Sequence, residues 1–195
     1  MPVTLTTPIY EQRLRADPRW AMEEGGLHFE KQSAIHRTLR KFAAKMEELD
    51  IPFALSGAMA MFLHGYRRTT TDVDVYAADR RALAEALQAK GFNWNDETRQ
   101  FEQGDFVVQI LAPTDNLPYH PTSYTEIDGV RVVTLGDLIS MKLSVGTKHI
   151  RRTQDLADVV RLIETLKLDK SFLPQVAREY RPDYRELVDK IEKES

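Results

Sequence analysis

The run Leu55-Ser56-Gly57-Ala58-Met59-Ala60 is followed, fifteen positions after Gly57, by Asp72-Val73-Asp74. A small-residue turn opens a short helix, and a strand then delivers two carboxylates. Side chains at i and i+2 of a strand share one face, about 7 Å apart along the backbone. Asp72 and Asp74 can therefore converge on one cation while Val73 anchors the strand. The Ser56-Gly57 turn falls at a predicted helix start, where free backbone N–H groups attract phosphate, and Gly57 allows close backbone approach. Magnesium takes oxygen ligands and leaves part of its shell to water and substrate phosphates. Phosphoryl-type transfer needs mainly such positioning and charge neutralisation. Arg67 and Arg68 lie just upstream of the acids, and Thr70 falls on the face of Asp72 and Asp74.

Periodicity supplies the frame. Ile35, Leu39, Phe42, Ala43, Met46 and Leu49 recur at helical spacing, with Arg37, Arg40, Lys41 and Glu48 opposite. Ile51–Leu55 reads as a buried strand, Gly57–Leu63 as a helix closed by Gly65, and Thr69–Tyr76 as a strand. Asp79 caps a predicted helix that runs to Lys90 and stops at Gly91. Short strands follow at Phe92–Trp94, Arg99–Phe101 and Phe106–Leu111. A loop with three prolines spans 113–121. Asp128-Gly129 predicts a type I′ hairpin within Tyr124–Val133. Thr134 and Asp137 resemble a capping box for a helix carrying Lys142. Thr153 opens another helix, with Leu156, Val159, Val160, Ile163 and Leu166 inward, and two short helices split by Pro182 end the chain. Residues 1–28 read as an arm ending at Gly25-Gly26, with a short helix around Tyr10–Arg15.

The expected architecture is mixed α/β (α+β), a mixed sheet flanked by helices with a helical C-terminal segment. Its parts are an arm at 1–28, a core at 29–145 and a helical segment at 146–195. The net charge of −3 argues against wholesale electrostatic binding of nucleic acid. With no cysteine, zinc thiolate sites and thiol nucleophiles are excluded. No apolar run approaches the ~20 residues of a membrane span, and the N-terminus lacks a signal-peptide pattern, so a cytoplasmic protein without a membrane partner is expected.

The stretch from Leu55-Ser56-Gly57 through Arg68-Thr69-Thr70-Thr71-Asp72-Val73-Asp74 resembles the signature of nucleotidyltransferase-fold proteins, most closely the AbiEii-like and minimal nucleotidyltransferase branch. Asp137-Leu138-Ile139-Ser140-Met141-Lys142-Leu143 resembles that group's helix with a phosphate-reaching lysine. Arg151-Arg152-Thr153-Gln154-Asp155-Leu156-Ala157-Asp158 resembles the segment that follows it. The resemblance implies Mg2+ or Mn2+ held by Asp72 and Asp74, and a nucleoside triphosphate. Ser56, Gly57 and Thr70 would meet its phosphates, with Arg68 and Lys142 neutralising charge. It implies transfer of a nucleoside monophosphate to an acceptor, which could be RNA, a protein or a small molecule. A partner protein of a toxin–antitoxin or phage-defence pair is implied by the same likeness.

Two positions depart from the pattern. Ser56-Gly57 stands where Gly-Gly or Gly-Ser is usual. More seriously, Phe106-Val107-Val108-Gln109-Ile110-Leu111 puts Gln109 at the position of a third acid. An amide cannot serve as general base at neutral pH. Asp105 lies roughly 13 Å from Gln109 along the strand, and Glu102 enters from a neighbouring strand. The site therefore works with two acids, recruits another, or binds nucleotide without turnover as an interaction module. The remaining candidates read as structural or surface residues. His64 ends a short helix, His120 sits in the proline loop, and Trp94 and Phe101 fill the core. Lys148, His149, Arg151 and Arg152 form a basic cluster. Asp155 and Asp158 lie on a solvated helix face, with Asp155 paired to Arg151.

Overall fold

A computed structural model describes residues 9–89, 91–95, 100–103, 106–147 and 152–194. In chain order the elements are α1 (Ile9–Ala16), α2 (Pro18–Phe29), α3 (Ala34–Glu48), β1 (Phe53–Leu55), α4 (Gly57–Leu63), β2 (Asp72–Ala77), α5 (Arg80–Gln88) and β3 (Asn93–Asn95). They continue with β4 (Gln100–Gln103), β5 (Phe106–Leu111), β6 (Tyr124–Ile127), β7 (Val130–Val133), α6 (Leu135–Gly146), α7 (Thr153–Leu166) and α8 (Arg181–Glu194). The chain divides into two units built from interleaved segments, 1–53 with 69–112 and 54–68 with 113–195. The fold class is the expected mixed α/β.

In the first unit, β2 pairs in parallel with β5, and β5 and β3 both run antiparallel to β4. Strand β2 alternates as its sequence requires: Val73 and Val75 are fully buried, while Asp72 and Asp74 are partly exposed. The predicted stripe of α3 is buried at Ile35, Leu39, Phe42 and Met46, and α3 packs on β2. Asp79 caps α5 by accepting from the Ala82 N–H at 3.0 Å, and Leu83 and Leu87 face the core.

Residues 9–29, expected as an arm with one short helix, form the two helices α1 and α2. The Asp17 carboxylate accepts from the Trp20 N–H at 3.0 Å, and Pro18 occupies the first turn, where its missing N–H is no loss. The Gly25-Gly26 pair lies inside α2 rather than ending it. Each helical glycine costs about 1 kcal/mol relative to alanine; next to the pair, buried Glu24 ties α2 to the Tyr10 hydroxyl and the Ala34 N–H.

In the second unit, β1 runs parallel to β7 with Leu55 opposite Val132, and β6–β7 is an antiparallel hairpin. Its turn residues Asp128 and Gly129 have φ of 51° and 73°, both positive, as a type I′ turn demands. The Thr134 hydroxyl caps α6 by accepting from the Asp137 N–H at 3.4 Å. Helices α6 and α7 pack together, and α4 rests on α6. Pro182 does not split two helices. It sits in the first turn of the single helix α8, which two 3₁₀ turns, Lys170–Gln175 and Arg178–Tyr180, precede. Among the described residues no helix is long and apolar enough to cross a membrane.

Candidate active site

Burial of Val73 and Val75 fixes the face on which Asp72 and Asp74 stand. The Thr70 hydroxyl donates to the Asp72 Oδ1 at 2.7 Å, which orients that carboxylate. The parallel register sets Asp72 opposite Val107 and Asp74 opposite Gln109, about 4.8 Å away between strand backbones. Gln109 therefore stands where a third acid beside Asp74 would be. Glu102 lies opposite Val107 on β4, so it is one strand beyond β5 and not a neighbour of β2. Asp105 lies outside the described residues, as do Lys148, His149 and Arg151.

Among the described residues, no three histidine or carboxylate groups are disposed to hold a metal. The Asp72–Asp74 pair still fits magnesium or manganese. It offers two hard oxygen donors on one face of a rigid, half-exposed strand, and magnesium is commonly held by one or two carboxylates plus substrate phosphates.

At the β1–α4 turn, Gly57 has φ 58°, a left-handed conformation that a side chain would strain. Ser56 is 1% exposed, and its hydroxyl donates to the Met141 Sδ at 3.8 Å. Its side chain thus ties the turn to α6, while Gly57 is partly exposed. His64, at the end of α4, bonds the Val133 carbonyl through Nε2 at 2.8 Å. Burial pushes its imidazole below the usual histidine range despite that carbonyl, a structural role as expected.

Asp155 and Asp158 are not on a solvated face. Asp158 is 0% exposed, and its carboxylate collects four contacts. The Arg68 Nε and Nη2 reach Oδ1 and Oδ2 at 3.0 and 3.1 Å, the Lys142 Nζ reaches Oδ2 at 2.7 Å and the Gln154 Nε2 reaches Oδ1 at 3.0 Å. Lys142 also reaches the Asp155 Oδ1 at 3.0 Å, and Arg152 pairs with Asp155 at 2.7 Å; the expected partner Arg151 lies outside the described residues. Burial alone would raise the Asp158 carboxyl. The Lys142 charge, the hydrogen bonds from Lys142 and Gln154, and Arg68 outweigh it and hold the group below the usual carboxylate range. The two cations assigned to phosphate, Arg68 and Lys142, therefore share one buried counter-ion. The sequence carried a sign of this: Asp158 lies one turn from Leu162, and both belong to the buried stripe of α7.

A second buried carboxylate was legible only as a cap. Asp137 accepts from the Tyr119 hydroxyl at 2.6 Å and from the Thr122 and Ser123 N–H groups at 2.7 and 2.6 Å. It pins the end of the proline-rich loop, including the segment that carries partly exposed His120, to the start of α6. Burial first, then the bond to Asp137, raises the Tyr119 hydroxyl well above the usual tyrosine range. Phe101 is fully buried against Trp94 at 4.8 Å between ring centroids.

No protein-family model and no curated protein matches this chain. Among solved structures, the crystal structure of ANT(2")-Ia in complex with adenylyl-2"-tobramycin is 16% identical, covers 79% of this chain and 96% of its own, and has a TM-score of 0.54. The solution structure of the antibiotic-resistance factor ANT(2'')-Ia is 15% identical, covering 80% of this chain and 91% of its own at a TM-score of 0.49. An antigenic nucleotidyltransferase-like protein from Paracoccidioides brasiliensis is 18% identical, covering 63% and 72% at 0.42. At such identities the match at 0.54 establishes architecture: this chain has the nucleotidyltransferase fold.

Proposed function

We propose that this protein is a metal-dependent nucleotidyltransferase that passes a nucleoside monophosphate from a nucleoside triphosphate to an acceptor. The observation that carries this reading is the Asp72–Asp74 pair, held on one face of β2 by buried Val73 and Val75. The fold likeness supports it. When bound, a magnesium or manganese ion would be held by Asp72 and Asp74 and would neutralise charge on the phosphates. Thr70 keeps the Asp72 carboxylate turned for that role. The Gly57 backbone meets phosphate, and Ser56 fixes the turn that presents it. Among the described residues Arg68 and Lys142, with Arg152, outnumber Asp155 and Asp158 by one positive charge, and the family resemblance gives Arg68 and Lys142 the part of neutralising phosphate charge. In the reaction an acceptor hydroxyl gives its proton to solvent as its oxygen bonds to the α-phosphorus, the bond to the α,β-bridging oxygen breaks, and pyrophosphate leaves.

The acceptor is left to experiment. The ANT(2")-Ia crystal structure holds adenylyl-2"-tobramycin, which favours testing small molecules beside RNA and protein as acceptors. A two-component partner protein rests on the AbiEii-like resemblance, and a cytoplasmic location goes with use of a triphosphate donor.

The register of Asp74 against Gln109 favours a second reading, a nucleotide-binding module of the same fold with little or no turnover. Incubation with each α-labelled triphosphate and Mg2+ or Mn2+, with RNA, protein and aminoglycoside pools as acceptors, separates the two. Label transfer that disappears in the Asp72→Asn/Asp74→Asn variant supports the enzyme. Binding by calorimetry without transfer supports the module, and no triphosphate binding with any divalent ion defeats both.

A further inference from the structure

Two histidines that the proposed chemistry does not use are buried together in the N-terminal helices. His28, near the end of α2, is 2% exposed, and His36, in α3, is 4% exposed. Their ring centroids lie 4.8 Å apart. Among the described residues, the charged and titratable groups of this cluster include Tyr10 from α1, Glu24 from α2, Lys31 from the intervening turn, and Arg37 and Arg40 from α3. The carboxylate in this set is already engaged. Glu24 Oε2 accepts from the Tyr10 hydroxyl at 3.3 Å and from the Ala34 N–H at 2.9 Å, and Oε1 lies 3.9 Å from Arg37. His36 Nδ1 is bonded to the Ser33 hydroxyl at 2.8 Å.

We propose that the His28–His36 contact is an acid-sensitive latch: α2, with α1 attached, stays seated on α3 while both imidazoles are neutral, and protonation of the pair ejects it. The reason is placement. A proton on His36 would sit in a dry contact with His28, with Arg40 and Lys31 nearby and the Glu24 carboxylate committed elsewhere. In agreement, burial first, then His28, Arg40 and Lys31, lower the His36 imidazole to about 4. The released helix pair takes its proton near the ordinary histidine value of about 6.5, so it is the released state that gains as pH falls. With the released value near 6.5 and the seated one near 4, the seating constant falls by roughly 80-fold between pH 6.5 and 4, and by roughly 300-fold in all once the pH is well below 4.

The chain has two tryptophans, and one reports on the latch. Trp20 in α2 lies edge-on to Tyr10 at 5.3 Å and beneath the Arg13 guanidinium at 4.2 Å. In the full chain carrying Trp94→Phe, Trp20 emission is followed from pH 7.5 to 3.5 beside far-UV circular dichroism. The expected result is a Trp20 transition that precedes global unfolding. It should persist with Glu24→Gln and move down into the global transition with His28→Leu/His36→Leu. A Trp20 transition unmoved by replacing both histidines, or one that coincides with global unfolding in the wild-type background, overturns the proposal. Should the double variant not fold, histidine ring NMR on the unaltered chain decides. A His36 ring that titrates near 6.5 while Trp20 stays in its folded environment overturns the latch. A ring that stays neutral until Trp20 is released upholds it.

Discussion

Replacing Asp158 by Asn removes one negative charge from the middle of the Arg68–Lys142–Asp155 group while keeping the shape of the side chain. The carboxylate is fully buried, and the Lys142 side chain is 8% exposed. The substitution leaves Asp155 as the charged partner of that ammonium and replaces the Arg68 ion pair by at most one neutral hydrogen bond. Breaking a buried ion pair from one side costs about 3–5 kcal/mol, because the remaining charge is stranded out of water. For a chain of this size about 1 kcal/mol moves the melting temperature by about 2–4 °C, so a fall of roughly 6–20 °C is expected by calorimetry. Replacing Arg68, Lys142 and Asp158 together by Arg68→Met, Lys142→Met and Asp158→Leu should cost less, since Asp155 keeps Arg152 as its partner and no fully buried charge is stranded. The Asp158 carboxyl is held below the usual carboxylate range. The native state therefore binds its proton later than the unfolded chain does. The stability it contributes is complete above the ordinary carboxylate value of about 4. It is lost as pH falls through the lower native value, so wild type and Asp158→Asn should converge in strong acid. A loss under about 1 kcal/mol, or the same loss when Lys142 is already Met, would refute the reading of these residues as one coupled group.

Four further outcomes are expected. A Cβ on Gly136 would lie 2.0 Å from the Gln175 carbonyl oxygen, so Gly136→Ala should destabilise the chain by about 1–3 kcal/mol in thermal unfolding, as overpacking does. Thr70→Val removes the 2.7 Å bond to Asp72 and should weaken metal-supported triphosphate binding several-fold in calorimetry, with the melting temperature little changed. Gln109→Asp places an acid opposite Asp74 and should raise transfer at least tenfold in the labelling assay; lower transfer would show that the amide itself is used. Chelation of divalent ions should abolish triphosphate binding in the same calorimeter, and added Mg2+ or Mn2+ should restore it.

Local chemistry made much of this fold legible. Alternation around Val73 and Val75 gave β2, the spacing from Ile35 to Met46 gave α3, and Asp128-Gly129 gave the hairpin, because each signal lies within a few residues. What could not be read depended on partners distant in sequence. Gly25-Gly26 looked like the end of an arm, but the Glu24 bonds to Tyr10 and to the Ala34 N–H tie α2 to its neighbours across the pair. Asp158 looked solvated because its partner Arg68 is 90 residues away, and a charged residue on an apolar stripe shows nothing of its counter-ion. Asp137 announced its cap but not the loop it grips.

The same contrast bears on the candidate site. The Asp72–Asp74 pair was legible because both acids lie on one strand, and the register turns the Gln109 departure from an alignment question into a position beside Asp74. The two cations have changed meaning more. Arg68 and Lys142 were read as free charges for phosphate, yet each is bound to a carboxylate that cannot leave without stranding its own charge. Their contribution to a triphosphate is then the net positive field of the group, not a grip by either side chain. One residual positive charge among the described residues of that group is weak against a triphosphate, and Asp72 and Asp74 bring none. Under the proposed function, the burden of neutralisation therefore falls on the divalent ion, which makes strict metal dependence, more than any single basic residue, the property on which this reading stands.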